Sequence, residues 1–500
     1  MRALLATAAL LAVGAAPPAH LDPDTAAWWS ITAQLSNDGM EGRDTGSPAY
    51  DRAARLVASK FAAAGLKPAG ENNGWFQRVP MHEIAIARAS ISAGSRPLRF
   101  LHDVTVTPAA GMPQRVDAPL AYGGYCAPKD VGDARGRLVI CHGTHRAGLP
   151  SAAERDAAVR AAGAAGMLTI ADPGFAVEPP RWPYAYARTV TLAEDKRKAD
   201  PFLRMTLNAA SLAKLLVGSK RNAAALIDGG SAGKPLPSFN LPARLRAQFT
   251  VRERDIASPN VVALLPGSAP ASANQAIALT AHLDGYGYGE PVNGDRIYNG
   301  TLDDAAYVAL LIRLAERRHG QPFRRPILFL VVTGEEKGLL GSRWFVRHPT
   351  VPLSRIAADI NLDQLRPIFP LDLLTVHALD DTSLGDDVRT TARGLGIAVQ
   401  KDPEPERNLL QRSDNWPFMQ AGIPATGFVF GYRPGSNSER IYRSWYRTGY
   451  HKPQDDLKQL MDWNAAADFN AFFYKLVDRV ADQDAKPEWK VGTRLRGAAR

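Results

Sequence analysis

Six consecutive apolar residues, Ile327 to Val332, run directly into Thr-Gly-Glu-Glu at 333–336. A short β-branched-rich run with no polar alternation, closed by a Gly, reads as a strand buried on both faces. A strand of that kind needs helices above and below it, so it constrains the whole chain around it. Beyond about residue 255 the sequence supplies them. Asn260–Gly267 and Ala276–Gly285 contain strands, as do 357–365 and 424–431. Between them, 303–318 carries apolar residues at helical spacing (Val308, Leu311, Ile312, Leu314, Ala315), and 338–349 and 469–483 also read as helices. Strands alternating with helices predict an α/β three-layer sandwich with a mixed, largely parallel sheet.

The flanking segments differ. Residues 23–36 look helical, and Ser47-Pro48 opens an amphipathic helix (Ala53, Leu56, Val57, Phe61) that Gly65 stops. Short strands follow from about 75 to 103. Residues 105–245 are mostly β, with one αβ unit: a strand at 137–141, an Ala-rich helix ending near Gly166, then the strand Met-Leu-Thr-Ile-Ala-Asp. At the N-terminus one Arg precedes an apolar run from Ala3 to about Val13 and then small residues. This pattern predicts a signal peptide over 1–20 with a mature start near 16–20, an uncleaved anchor being the alternative. No later segment is long and apolar enough to span a bilayer, so no stable membrane insertion is expected. The export signal implies a periplasmic or extracellular location. There the two cysteines, Cys126 and Cys141, are either a disulfide or two buried thiols. The net charge of +10 is spread over scattered Lys and Arg, which argues against a nucleic-acid partner.

Functional groups in sheets of this type gather at the C-terminal ends of strands. His282 follows one strand, with Asp284 two residues on; Glu335 and Glu336 follow another, and Asp363 a third. Asp303 and Asp304 open the intervening helix, and His451 arrives late in Thr-Gly-Tyr-His-Lys-Pro. Singly, these are helix caps and hydrogen-bonded structural residues. Together they would bury several negative charges side by side, which desolvation and repulsion forbid without a cation. Two imidazoles and three carboxylates suit two Zn²⁺ ions, with one carboxylate bridging and one Glu left over as a base.

The series AHLDG, NGTLDDAAYVALLIRLA, TGEEKGLLGS, NLDQ and GYHKPQDD resembles the M28 family of dizinc aminopeptidases in order and spacing: 21 residues from His282 to Asp303, 32 to Glu335, 27 from Glu336 to Asp363 and 88 to His451. DARGRLVICHG, with the helix and GAAGMLTIADP after it, resembles the protease-associated (PA) domain inserted in several exopeptidase families. The resemblance implies a zinc exopeptidase fold over 23–104 and 250–485, a PA-like insert at 105–245 and a tail at 486–500. Carried over by position, it implies that His282 and Asp363 hold one zinc, Glu336 and His451 the other, and Asp303 both. It makes Glu335 the general base and Asp284 the orienter of the His282 ring. It also implies a cis peptide at Asp303–Asp304. Tyr450 is a candidate oxyanion donor, with a packed tyrosine as the alternative. One departure stands out: Asn415 occupies the place where the family often has His.

The implied function is hydrolysis of the N-terminal peptide bond of a peptide substrate by zinc-activated water. A carboxypeptidase is the alternative, with Arg433, Arg443 or Arg447 as the cation for the substrate carboxylate. A non-catalytic binding protein on this scaffold would lack the metal shell, and a glutaminyl cyclase would use a reduced single-zinc shell; here all five ligand positions and the base are present.

Overall fold

The computed structural model describes residues 21–496 except 145, 174–180, 196–197 and 365–366. The expected signal peptide lies outside these residues. The strand Ile327–Val332 sits near the middle of a sheet. It pairs parallel with Ala276–His282 and antiparallel with the long strand Phe239–Leu265. Beyond Ala276–His282 come Ile356–Leu362 and Ala425–Phe430, both parallel, then Leu373–His377, antiparallel, and the short edge Ala398–Gln400.

Side chains on these strands alternate between two apolar layers, as the period of two requires. Ile327, Phe329 and Val331 join one core with Ile277, Leu279 and Ala281. Leu328, Leu330 and Val332 join another with Val262, Ala278 and Phe345. The first layer is covered by the helices Pro23–Ser36, Pro48–Ala63, Ala306–Arg317 and Trp463–Asp482. Leu340–Arg347 and Asn415–Gln420 cover the second. The molecule is therefore the mixed α/β sandwich that alternation predicts. Local chemistry starts the first helices where the sequence places them. Asp22 accepts from the amides of Asp24 and Thr25, Ser47 accepts from Tyr50, and Pro23 and Pro48 each open a first turn.

Residues 76–93 and 239–265 form a long antiparallel ribbon that leaves this sandwich and carries a second lobe. There Arg115–Tyr122, Leu138–His142, Gly166–Ala171 and Leu203–Asn208 run parallel, with Val104–Thr107 antiparallel at the edge. The lobe has its own core (Val106, Leu120, Ile140, Leu168, Leu207), which also takes in Ile86, Ile91 and Leu98 from before residue 105. Cys126 and Cys141 form a disulfide within it.

The stretch before His451 is largely helical. It contains the helix Asn437–Thr448, capped by Ser436, whose hydroxyl accepts from the Glu439 amide. Ser-x-x-Glu is a helix-start pattern, hidden here by dense Arg and Tyr.

Candidate active site

Parallel pairing places the candidate residues side by side. His282 ends its strand opposite Val332, so residues 333–336 emerge beside it. Asp363 follows the neighbouring strand on the other side. Gly334, at φ +67°, turns the chain sharply between strand and acids. Asp303 reaches the same point from the irregular turn Thr301–Ala305, where the Asp303–Asp304 peptide is cis.

Asp303 lies between the two imidazoles. Its Oδ1 is 3.2 Å from His282 Nε2 and its Oδ2 is 3.5 Å from His451 Nε2. Asp363 Oδ1 is 3.9 Å from His282 Nε2, and Glu336 Oε1 is 3.5 Å from His451 Nε2. Two ligand triads result, His282–Asp303–Asp363 and Asp303–Glu336–His451, the ligand atoms of each lying within 4.8 Å of one another. A third triad contains Glu335 with His282 and Glu336. The structure thus brings together every residue that the sequence nominated as a ligand or base.

Supporting contacts fix these groups. His282 Nδ1 lies 3.0 Å from the main-chain carbonyl of Asp284 and 3.8 Å from its carboxylate. That carboxylate instead accepts the amides of Glu335 (3.1 Å) and Glu336 (3.4 Å) and the Thr45 hydroxyl (2.9 Å). Asp284 therefore orients the ring through its backbone and holds the two-glutamate turn through its side chain. The Asp455 carboxylate likewise accepts the amides of Leu302 and Asp303. The guanidinium of Arg43, fully buried, donates to the carbonyls of Leu35, Leu283, Asn299 and Gly300. It thereby ties the turn after His282 to the turn before Asp303. Neither Arg43 nor Asp455 was singled out by sequence reasoning. Asp455 follows His451 by four residues within a quoted motif, but Arg43 carries no spacing signal.

Tyr450 stacks on the His451 ring at 3.6 Å, and its hydroxyl accepts from Gln364 Nε2 at 3.2 Å. Asn415 is buried with Nδ2 3.6 Å from Met419 Sδ, and it does not line the cleft. The cleft itself has a volume of about 590 Å³ and opens between the lobes. Tyr186 and Val190 of the second lobe line it together with Leu339, Leu409 and Arg412.

The electrostatics of the site call for a cation. Burial first, then the neighbouring Asp363 and Glu336, push Glu335 well above the ordinary range, although His282 opposes them. Burial likewise pushes Glu336 up to about 7. His282 is disfavoured as a cation by burial, yet Asp303, Asp304 and Glu335 outweigh that and raise it. Asp303 is held below the usual range because both imidazoles outweigh its burial. Asp303 Oδ2 and Glu336 Oε1 are buried without a hydrogen-bond partner among the described residues, and both lie 3.5 Å from His451 Nε2. Orphaned buried carboxylate oxygens converging on an imidazole nitrogen fit a dication of the zinc type.

Comparison with known proteins agrees with this geometry. Residues 260–477 match the model of peptidase family M28. Aminopeptidase YwaD of Bacillus subtilis is 26% identical over 190 residues, 37% of this chain and 36% of the relative. Leupeptin-inactivating enzyme 1 of Streptomyces exfoliatus is 26% identical over 240 residues, 47% of this chain and 48% of the relative. The chain thus spans less than half the length of these curated relatives. Among solved structures, BSAP, a zinc aminopeptidase from Bacillus subtilis, superposes with a TM-score of 0.62 at 18% identity, covering 93% of this chain and 98% of that one. An aminopeptidase from Aneurinibacillus sp. strain AM-1 gives 0.61 at 18% identity over 94% and 96%. These likenesses show a shared fold across both lobes. All five candidate ligands and Glu335 lie inside the matched segment, and the chain carries a domain of peptidase family M28.

Proposed function

We propose that the protein is a dizinc aminopeptidase acting on peptides with a free N-terminus. The observation that carries this reading is Asp303, whose two carboxylate oxygens face His282 and His451 at 3.2 and 3.5 Å, with Asp363 and Glu336 on the outer sides. His282, Asp303 and Asp363 would hold one ion, and Asp303, Glu336 and His451 the other. Bound zinc supplies Lewis acidity, polarising the scissile carbonyl and acidifying water. Glu335, half-buried beside these ligands, takes the proton of the attacking water. It returns that proton to the leaving amine as the C–N bond breaks. Tyr450 has its oxygen engaged by Gln364 Nε2, which leaves its own proton to donate to the developing oxyanion. A carboxylate of the site not fully neutralised by the metals holds the substrate ammonium by a charge-assisted hydrogen bond. The Cys126–Cys141 disulfide supports an exported, oxidising location. No helix among the described residues is long and apolar enough to cross a membrane.

A panel of amino-acid amides and peptides with free, acetylated or amidated ends, assayed with and without zinc, tests the proposal. Acetylation of the N-terminus should cut kcat/KM sharply. Equal cleavage of acetylated peptides, together with failure on C-terminal amides, would establish the carboxypeptidase instead. The three arginines named for that alternative do not support it. Arg443 is engaged by Glu404 and Glu439, and neither it, Arg433 nor Arg447 is among the residues lining the cleft.

A further inference from the structure

The two ligand triads are supported differently. His282, in the first, is oriented by a backbone carbonyl of its own turn. The second, Asp303–Glu336–His451, is flanked by two tyrosines. Tyr286 donates its hydroxyl to Glu336 Oε2 at 2.5 Å, leaving Oε1 facing His451. Its ring lies 4.3 Å from that of His451. The Tyr186 hydroxyl lies 3.4 Å from His451 Nδ1, and its ring is 5.4 Å from that of Tyr286. With a metal ion on Nε2, Nδ1 of His451 would carry the proton and donate to the Tyr186 oxygen.

Tyr186 does not belong to the sandwich. It sits in the turn Tyr184–Ala187, directly before the strand Arg188–Leu192, which pairs with Met81–Ala85 of the ribbon. The second lobe presses this turn onto the site. Ala185 accepts from the Lys337 ammonium at 3.1 Å, and Arg188 bonds Asp44 at 2.7 Å. Residue 337 directly follows the ligand Glu336, so the anchoring and the tyrosine contact act on the same few residues.

We propose that Tyr286 and Tyr186 are positioning residues for the metal of the Asp303–Glu336–His451 triad, and that the second lobe, through Tyr186, tunes the affinity of that ion selectively. Resting on the dizinc reading, the inference extends it by making the two ions unequal. A ligand held in one rotamer loses less freedom when it binds metal, and partners of this kind are typically worth about 10–100-fold in affinity. Tyr286, with the short bond, carries more of this than Tyr186.

The test is zinc titration of the metal-free full-length protein by calorimetry with a competing chelator, in the wild type, Tyr286→Phe and Tyr186→Phe. Tyr125→Phe is the control. Its hydroxyl donates to the carbonyls of Gly230 and Lys234 inside the second lobe, so it reports loss of a buried hydroxyl in that lobe. The expected result is one zinc step weakened about 10–100-fold in Tyr286→Phe and about 10-fold in Tyr186→Phe, with the other step unchanged. Tyr125→Phe should leave both steps alone. Two unchanged steps in Tyr286→Phe and Tyr186→Phe, or equal weakening of both, would overturn the proposal while leaving the dizinc reading intact. A wild type that binds fewer than two ions would overturn the dizinc reading first. Thermal unfolding of each metal-free variant identifies any that misfolds, in which case Tyr286→Trp, which retains an N–H donor, takes its place.

Discussion

Glu335 and Glu336 are covalent neighbours that share the amide-binding carboxylate of Asp284, yet only Glu336 faces His451. This separation predicts different phenotypes. Glu335→Gln should keep both zinc ions and lower kcat/KM by about 10²–10⁴-fold, the usual worth of a general base. Glu336→Ala should lose zinc as well. Metal analysis beside turnover of an amino-acid amide checks both, and full activity in Glu335→Gln would refute the assignment of the base. A second prediction concerns Arg43, where burial pulls the guanidinium down to about 10, so it remains charged at neutral pH. Replacing it by Met strands four carbonyls and removes the positive charge facing Asp455, Asp284, Asp304 and Asp303. A loss of about 3–5 kcal/mol is expected from urea unfolding of the metal-free protein. The ligands were legible in the sequence because metal binding demands particular residue types at strand ends. Arg43 was not, because its partners are backbone carbonyls, which leave no mark on residue identity. Tyr186 and Tyr286 were hidden for a related reason: aromatic residues are equally at home in a core.

Among the elements, the buried strands were easiest to read, since runs such as Ile327–Val332 and Ala276–His282 are buried at every position. The helix Asn437–Thr448 was harder. Its exposed face is Arg-rich, and its buried residues are Tyr442, Trp445 and Tyr446. Its start depends on Ser436, so Ser436→Ala should lower stability by about 1 kcal/mol, read as a shift in the urea midpoint. Tyr446, on the same helix, donates to Gln364, which bonds Tyr450. Fraying there should therefore also lower turnover without loss of zinc. The second lobe offers a parallel case. Pairing of Cys126 with Cys141 was left open by the sequence, because spacing alone does not bring two side chains together. In the structure the bond closes a loop with a sequence separation of 15. Loop-closure entropy for that length is worth about 3 kcal/mol. Replacing both cysteines by Ser should lower the unfolding midpoint of this lobe and spare zinc content. An unchanged midpoint would mean that the lobe's own apolar core carries its stability.

At the scale of the whole molecule, alternation of strand and helix foretold the sandwich, but nothing in it told how the second lobe would sit. That arrangement depends on contacts between residues far apart in the chain. Asp195 meets Arg343 at 2.8 Å and Arg347 at 2.7 Å, while Glu194 meets Arg347 at 3.0 Å and His348 at 2.8 Å. Elsewhere, Glu290 of the sandwich bonds Arg99 at 3.1 Å and contacts His102. These pairs are partly exposed, so each is worth at most about 1 kcal/mol and is weakened by salt. A lobe held in part by weak ionic contacts over a cleft of about 590 Å³ should admit short peptides readily and longer ones poorly. The combined variant Glu194→Gln, Asp195→Asn, Glu290→Gln touches none of the candidate ligands or the base. It should leave kcat/KM for a dipeptide amide nearly unchanged and raise kcat/KM for a decapeptide. High salt should move the wild type in the same direction, because it screens the same pairs. The ratio of the two specificity constants, measured across a salt series in both proteins, is the deciding quantity. A ratio that ignores both the substitutions and the salt would mean that peptide length is limited by the rigid walls of the cleft rather than by the ionic closure of the lobe.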